Sequence, residues 1–539
     1  MSSSSTSCTR AYASHQPTWQ RFILRNDRPS SLDASHKTTT HAYNRQYSHM
    51  CTRRLAELGP KCVQANSSSQ GELIDRIIDV KEGVVSTIVG TFLKEMPNRP
   101  LFVDPTAALF DDDEDSFMRM HTSVKTCTSY CSANDLLVLE DESGRVELLF
   151  TKETRIANPL GNRGGSNRLS VHQITSGVVA AVTGVVASDS GGVMTVHSVT
   201  FPKLGPHKTT PRLIVSPASR TLRPAVLDEE SKKDEGGSYG PLVMLVSGLQ
   251  TTLLTDHDKD SCHALRTELL IDFVAGNLPN LEHEAANIAR VIIAGNSTGP
   301  YPCAERLLRA NRKLFSGVVD TLPDAKKSKA NTPTAAEMAV RPIKELDRLL
   351  CGLVKSCVAV DVIPGCEDPT NTNWPQQPLH KCLLPNSLSL HGASTLVKRA
   401  PNPYEATIGS RLFLGTDGLN VKDLAQYMRR EGEDLPPMSE MELLQSTLMF
   451  AHIAPSAPDS LASFPFLTED PFIIKTTPHI YFCGNCESYE SKLVTTAEGA
   501  SCRLICVPSF ATTCQVVLVN LETLESQCLT FEDHYMSTS

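Results

Sequence analysis

The pattern of apolar and polar positions divides the chain into segments of different secondary structure. From about residue 70 to 206 it shows short β-type runs separated by turn residues, at 84–93, 136–150, 178–188 and 193–201. Several short strands with almost no helix are typical of a small barrel or sandwich. The segment therefore predicts a five-stranded barrel of the OB type, although other small β folds also fit the pattern.

From residue 241 to about 535 the pattern changes to apolar strands that alternate with helices. Near-continuous apolar runs stand at 242–248, 289–295 and 358–365, and further ones follow toward the C-terminus. A helix is predicted over 334–356, with one apolar face formed by Met338, Leu346, Leu349, Leu350, Leu353 and Val354. Apolar strands that alternate with helices indicate buried sheets, so we expect a layered α/β domain.

Residues 1–40 are rich in Ser and Thr and are expected to form a disordered tail. Arg10, Arg21 and Arg25 precede the first acidic residue, Asp27, so an organelle transit peptide is the alternative interpretation.

Two short segments flank the predicted barrel. Residues 41–69 carry a helical pattern that should end at Gly59-Pro60, because proline removes a helix hydrogen bond. Residues 207–240 combine early prolines with the charge run 228-DEESKKDE-235, which is typical of a mobile linker.

Composition narrows the function classes. The 539 residues are 40% hydrophobic and 21% charged, and the net charge of −9 argues against a protein whose main task is to neutralise phosphates. No apolar run approaches the length needed to span a membrane. The 17 cysteines follow no disulfide framework, which favours free thiols in a reducing compartment.

Six long blocks of the chain are distinctive: 44-NRQYSHMCTRRL-55, 134-NDLLVLEDESGRVEL-148, 361-DVIPGCEDPTNTNWPQQPLHKCLLP-385, 402-NPYEATIGSRLFLGTDGLNV-421, 452-HIAPSAPDSLASFPFLTEDPFI-473 and 478-PHIYFCGNCESYESK-492. They closely resemble the small (B) subunits of replicative DNA polymerases, and among these the delta type. The resemblance covers most of residues 41–535 in the same order, so it is far more specific than a short motif.

This resemblance implies an OB domain packed on a calcineurin-like phosphoesterase fold. It implies a non-catalytic scaffold in the nucleus, without cofactors, that acts in replication and repair synthesis. The expected partners are the cysteine-rich C-terminal domain of the catalytic subunit and a third polymerase subunit. The sliding clamp is a further candidate partner, contact with DNA should be indirect or weak, and no membrane is involved.

Active phosphoesterases of this fold hold two cations with D-x-H, G-D, G-N-H-D/E, a lone His and G-H-x-H, each after a strand. The corresponding positions here are Ser247-Gly248-Leu249, Gly295-Asn296, Gly365-Cys366-Glu367-Asp368, Gly415-Thr416 and Gly484-Asn485-Cys486. Only Asp368 among the expected ligands remains. Two cations need several carboxylates and imidazoles before they can activate water, so we expect no catalytic, metal or cofactor-binding residues.

Three local motifs allow a second interpretation. Cys483 and Cys486 form a CxxC, but no second CxxC follows at zinc-ribbon spacing, so we expect two structural thiols rather than a zinc site. The run 255-TDHDKD-260 offers oxygen ligands, but a solvated loop is the simpler interpretation. The barrel segment has few aromatic residues and no basic stripe, which favours a protein-binding over a nucleic-acid-binding barrel.

Two other functions compete with the scaffold. One is a metal-dependent exonuclease or phosphodiesterase that combines Asp368 with a recruited histidine, His479 or His380. The other is an autonomous binder of single-stranded DNA. The missing D-x-H after the first strand argues against the enzyme.

Overall fold

The described part of the chain forms three six-stranded sheets and eight α-helices. The computed structural model describes residues 15–17, 22, 46–66, 71–99, 129–157, 160, 167–188, 191–207, 240–254, 261–299, 335–390, 396–430, 437–496 and 498–531. The strands are β1 (His15–Pro17), β2 (Glu72–Ile74), β3 (Val85–Glu95), β4 (Leu136–Glu140), β5 (Arg145–Ile156), β6 (Val179–Val186), β7 (Met194–Thr200), β8 (Leu242–Val246), β9 (Ile288–Ala294), β10 (Ala359–Ile363), β11 (Val397–Arg399), β12 (Tyr404–Ile408), β13 (Arg411–Thr416), β14 (Ile480–Cys486), β15 (Glu490–Thr495), β16 (Ser501–Pro508), β17 (Gln515–Asn520) and β18 (Ser526–Thr530). The helices are α1 (Tyr47–Ala65), α2 (Ser261–Ala275), α3 (Glu282–Asn287), α4 (Ala335–Lys355), α5 (Pro385–Ser389), α6 (Leu419–Tyr427), α7 (Glu440–Met449) and α8 (Phe510–Thr513). None of the described helices is both long and apolar enough to cross a membrane.

Strands β3 to β7 close into the predicted five-stranded barrel. The order β3-β4-β5-β7-β6 becomes a ring because β3 also pairs with β6. Phe92, Tyr130 and Phe201 are buried and Phe150 is half-buried, so these aromatic rings mainly pack inside the molecule. They are therefore poorly placed to stack on the bases of a nucleic acid.

Helix α1 runs through Gly59-Pro60 to Ala65, so the prediction that it ends at this pair is wrong. Its buried positions recur every four residues, at Met50, Arg54, Leu58 and Cys62. This face packs on β6 and β3 of the barrel. The burial of that face offsets the hydrogen bond that the proline removes.

Residues 15–17 and 22 are the described part of the segment 1–40, for which the composition predicts a disordered tail, and they contact the layered sheets. β1 pairs antiparallel with β12, with His15 opposite Ile408. Phe22 is fully buried, and its carbonyl accepts a hydrogen bond from Gln377 Nε2 at 3.1 Å. The apolar Phe22 thus has a site in the core, which composition alone does not reveal.

β2 pairs with β3 at the edge of the barrel. The other twelve strands form two mixed sheets with the layered α/β arrangement that the pattern predicts. One sheet has the order β1-β12-β13-β14-β16-β15 and the other β11-β10-β9-β8-β17-β18. Alternate residues of β8 separate two cores. Val243 and Leu245 face the core shared with the first sheet and the barrel, whereas Met244 and Val246 face the core beneath α2 and α4.

Helix α4 confirms the predicted helix over 334–356 and continues through Pro342. Leu346, Leu349, Leu350, Leu353 and Val354 are all buried, as the apolar face predicts. The side chain of Met338 lies outside the described residues, as do the runs 228–235 and 255–260.

Candidate functional site

Strands β8, β9, β10, β13 and β14 supply the positions that the resemblance assigns to metal ligands. The first three are neighbouring parallel strands of one sheet, and the last two are neighbouring parallel strands of the other. The carboxyl ends of parallel strands meet at one edge of a sheet. At or just beyond these ends lie Ser247, Asn296, Asp368, Thr416 and Asn485. We call this region the strand-end edge.

Asn485 joins the two sheets at this edge through neutral hydrogen bonds. Its backbone N–H donates to Ser247 Oγ at 2.8 Å, and Ser247 Oγ donates to the carbonyl of Pro508 at 3.0 Å. The Asn485 amide nitrogen donates to the carbonyls of Asp417 (2.9 Å) and Ala294 (3.3 Å). Asn485 has φ of +55°, a left-handed conformation that asparagine tolerates better than most residues. The side chain thus holds loops together.

Asp368 is buried, and its carboxylate oxygens are already occupied by hydrogen bonds from the backbone. Its oxygens accept hydrogen bonds from the N–H groups of Gly365 (2.8 Å), Thr298 (2.8 Å) and Ser297 (3.2 Å). The Thr298 hydroxyl donates a fourth at 2.9 Å. Burial raises the pKa of Asp368, while these hydrogen bonds act in the opposite direction. The carboxylate therefore organises two loops.

A second buried carboxylate at the edge, Asp417, does not stand out in the sequence. It follows Thr416, the position that the resemblance assigns to the lone histidine. The Asp417 carboxylate accepts from the N–H groups of Cys366 and Leu419, each at 3.2 Å. Burial raises the pKa of Asp417. The one feature of the sequence that could have indicated this carboxylate is an acidic residue directly after an apolar strand.

The histidines of the rival hypothesis do not complete a site with Asp368. His479 precedes β14 and so lies at the opposite end of that strand from the strand-end edge. Its Nδ1 accepts from the Leu412 N–H at 3.0 Å, and its ring stacks on His207 with centroids 4.0 Å apart. His380 is exposed and caps a short turn.

Among the described residues, groups of three potential metal-ligating side chains occur at two places, and neither contains Asp368 or Asp417. The groups are Cys483, Cys486 and Cys506, and Cys131, Asp135 and His172. The strand-end edge thus offers two buried carboxylates that are already hydrogen-bonded, together with serine, threonine and asparagine. Such groups position loops, and the positive charge of two cations would require more anionic ligands.

Arg54 connects the barrel side of the molecule to the layered sheets. It is 1% exposed and lies on α1, and its Nε donates to Asp470 Oδ2 at 2.7 Å. Its other nitrogens donate to the carbonyls of Gly177 (3.0 Å), Pro455 (2.8 Å) and Ala457 (2.7 Å). One guanidinium therefore crosslinks the helix, the barrel and the loop that contains Asp470.

Asp470 also accepts a hydrogen bond from His452 Nε2 at 2.9 Å. Burial alone would raise the pKa of Asp470, but the charges of Arg54 and His452 hold it well below its usual range. Burial and the charge of Arg54 lower the pKa of His452 to about 4, although Asp470 opposes this change. The cluster therefore holds one buried ion pair and a neutral imidazole near pH 7.

Two further contacts join the same halves. Lys94 of β3 donates to the carbonyl of Tyr427, at the end of α6, at 2.7 Å. Arg99 pairs with Asp459 at 2.7 Å and lies over the ring of Tyr427. Together with the Arg54 cluster, these contacts fix the barrel against the layered sheets.

Comparison with known proteins agrees with this architecture. The family model described as "DNA polymerase delta subunit OB-fold domain" matches residues 46–199, which contain the barrel. The family model for the B subunits of DNA polymerases alpha and epsilon matches residues 243–491. The two matches define the class of protein as the B subunits of replicative polymerases, with an OB-fold domain.

Curated relatives specify the type. "DNA polymerase delta small subunit" of Arabidopsis thaliana is 31% identical over 93% of this chain and 95% of its own length. "DNA polymerase delta subunit 2" of Drosophila melanogaster is 30% identical over 93% of this chain and 96% of its own. The Saccharomyces cerevisiae small subunit is 25% identical over 90% of this chain. The chain belongs to the family of DNA polymerase delta small subunits.

Proposed function

We propose that this protein is a non-catalytic scaffold that joins the catalytic subunit of DNA polymerase delta, through its cysteine-rich C-terminal domain, to a third subunit. The proposal includes action in the nucleus, in replication and repair synthesis, with weak or indirect contact to DNA. The sliding clamp is a further candidate partner.

The observation that carries this proposal is the buried Arg54 cluster. A protein that fixes the relative position of two partners needs its own two halves to be rigidly connected. Arg54 makes four polar contacts while almost fully removed from water, and three of them, to Asp470, Pro455 and Ala457, cross that junction. Displacement of the two halves would leave a buried charge unpaired, which costs about 3–5 kcal/mol.

We further propose that the layered region, residues 241–535, descends from a calcineurin-like phosphoesterase, and that residues 70–206 form a separate OB domain. The hydrogen bonds of Asp368 and Asn485 support the loss of catalysis, because the remaining polar groups now connect loops. The apolar segment 455–472 does not supply an obvious partner surface. Leu461 and Phe472 are buried and therefore face the core, whereas Leu467 is 37% exposed.

Co-purification tests the proposal. The tagged chain should recover the large catalytic polypeptide of the polymerase from cells, and a catalytic subunit without its C-terminal domain should be lost. Added at 100 times its dissociation constant, that domain should stabilise the chain by about 2.7 kcal/mol. The proposal would be contradicted if adding that domain left the melting temperature unchanged and the tagged chain recovered no polymerase subunit.

A further inference from the structure

Three buried cysteine thiols converge on one point beside the strand-end edge. Cys483 Sγ lies 3.3 Å from Cys486 Sγ and 3.8 Å from Cys506 Sγ. All three sulfur atoms lie within 4.8 Å of one another, and each residue is at most 2% exposed. We call Cys483, Cys486 and Cys506 the thiol cluster.

The convergence depends on a distortion of β14. In a regular strand, residues three apart point to opposite faces of the sheet, so Cys483 and Cys486 would diverge. Here the register shifts between them, and Asn485 adopts a left-handed conformation. This irregularity directs Cys486 toward Cys483. Cys506 stands directly beside Cys483 on the neighbouring parallel strand β16.

The spacing of the thiol cluster suits a tetrahedral metal ion. With Zn–S bonds of about 2.3 Å, two ligands of a tetrahedral zinc ion stand about 3.8 Å apart. The observed separations of 3.3 and 3.8 Å lie close to that value, so the ion requires only small side-chain movements.

A candidate fourth ligand stands on α7. Glu440, the first residue of that helix, accepts a hydrogen bond from the Glu487 N–H at 2.9 Å. Its half-buried carboxyl group is close enough to Cys486 and Cys506 for both to influence its pKa. The group of ligand atoms within 4.8 Å of one another contains the three sulfurs alone, so the carboxylate would have to move toward them to bind the ion. Carboxylate oxygen is an accepted zinc ligand beside cysteine sulfur.

Metal ligation requires thiolates, and a bound cation would displace the thiol protons of the three cysteines.

We propose that the thiol cluster, with Glu440 as fourth ligand, is a structural zinc site. Paired CxxC motifs do not reveal it, because the third thiol comes from a strand 20 residues further along the chain. The site would fix β14, β16 and α7 together. It does not depend on the proposed scaffold function.

Zinc content of the full chain, purified without chelators, tests the proposal. We expect about one equivalent of zinc per chain by mass spectrometry of the metal. Cobalt should replace it and produce thiolate-to-cobalt charge-transfer absorption. Cys506→Ser and the double variant Cys483→Ser/Cys486→Ser should lose both signals, and Glu440→Gln should release zinc faster to a chelator. Cys502→Ser is the matched control, because Cys502 is also buried on β16 but lies outside the cluster.

Wild-type chain that holds less than about a tenth of an equivalent, even after equilibration with stoichiometric zinc, would overturn the proposal. So would a Cys483–Cys486 disulfide, seen as a loss of two mass units, or zinc that persists in the Cys506→Ser variant. Should the serine variants fail to fold, thiol counting on the wild type decides. The three thiols should become reactive only after a chelator is added, and reactivity that a chelator does not change would refute the site.

Discussion

Removal of Arg54 should destabilise the protein strongly and loosen the junction between barrel and layered sheets. Arg54→Ala deletes the ion pair with Asp470 and leaves that carboxylate buried, with His452 as its remaining side-chain partner. The carbonyls of Gly177, Pro455 and Ala457 also lose their donor. Breaking a buried pair by removing one partner costs about 3–5 kcal/mol.

At about 2–4 °C per kcal/mol for a domain of 150–250 residues, the melting temperature should fall by roughly 6–20 °C. Differential scanning calorimetry of the full chain measures this. Arg54→Lys should fall between the wild type and the alanine variant, because lysine keeps the charge but loses the planar fork.

The matched control is Arg76→Ala. Arg76 also pairs with an aspartate, Asp79, at 2.9 Å, but both side chains are largely exposed. Exposed ion pairs contribute little to stability, so this variant should have the same melting temperature as the wild type. If Arg54→Ala and Arg76→Ala melt within about a degree of each other, the central role assigned to the Arg54 cluster is refuted.

Three further predictions concern pH, the strand-end edge and the linker. Because the pKa of His452 is about 4 when folded and about 6.5 when unfolded, the unfolded state binds an extra proton between these values. The free energy of unfolding should therefore fall as the pH drops through this window, by up to about 1.4 kcal/mol per pH unit, and His452→Gln should flatten the slope in urea titrations. Asp368→Ala should lower the free energy of unfolding by at least about 1–3 kcal/mol, because buried N–H groups lose their acceptor. Wild type and variant should hydrolyse a phosphodiester in the presence of manganese at the same background rate. Protease cleavage within 228-DEESKKDE-235 should leave both halves co-migrating in native size-exclusion chromatography, and separate elution of the halves would contradict a rigid junction.

Local pattern predicts the strands well because their apolar runs are long and their burial is nearly complete. Examples are 289–295, observed as β9, and 358–365, observed as β10. The short strands at the sheet edges escape such prediction. β1 and β11 have three residues each, and partner strands rather than their own composition hold them in place.

Features that depend on distant contacts could not be read from the sequence. The continuation of α1 through Pro60 follows from the packing of Cys62 and its neighbours on the barrel. Asp417 can be recognised as part of the strand-end edge only from the structure, in which the N–H of Cys366, 51 residues away, donates to its carboxylate. The thiol cluster likewise forms only because β14 is irregular and β16 lies beside it, and a CxxC motif predicts neither feature.

The central claim is that this chain bridges two other polymerase subunits, and the mass of a reconstituted complex tests it most directly. The catalytic subunit's C-terminal domain, the third subunit and this chain would be mixed in pairs and all together, and the masses measured by light scattering. We predict a complex of one copy of each, a pairwise complex of either partner with this chain, and no association of the two partners alone. Partners that associate equally well without this chain, or that exclude one another from it, would contradict the bridging role.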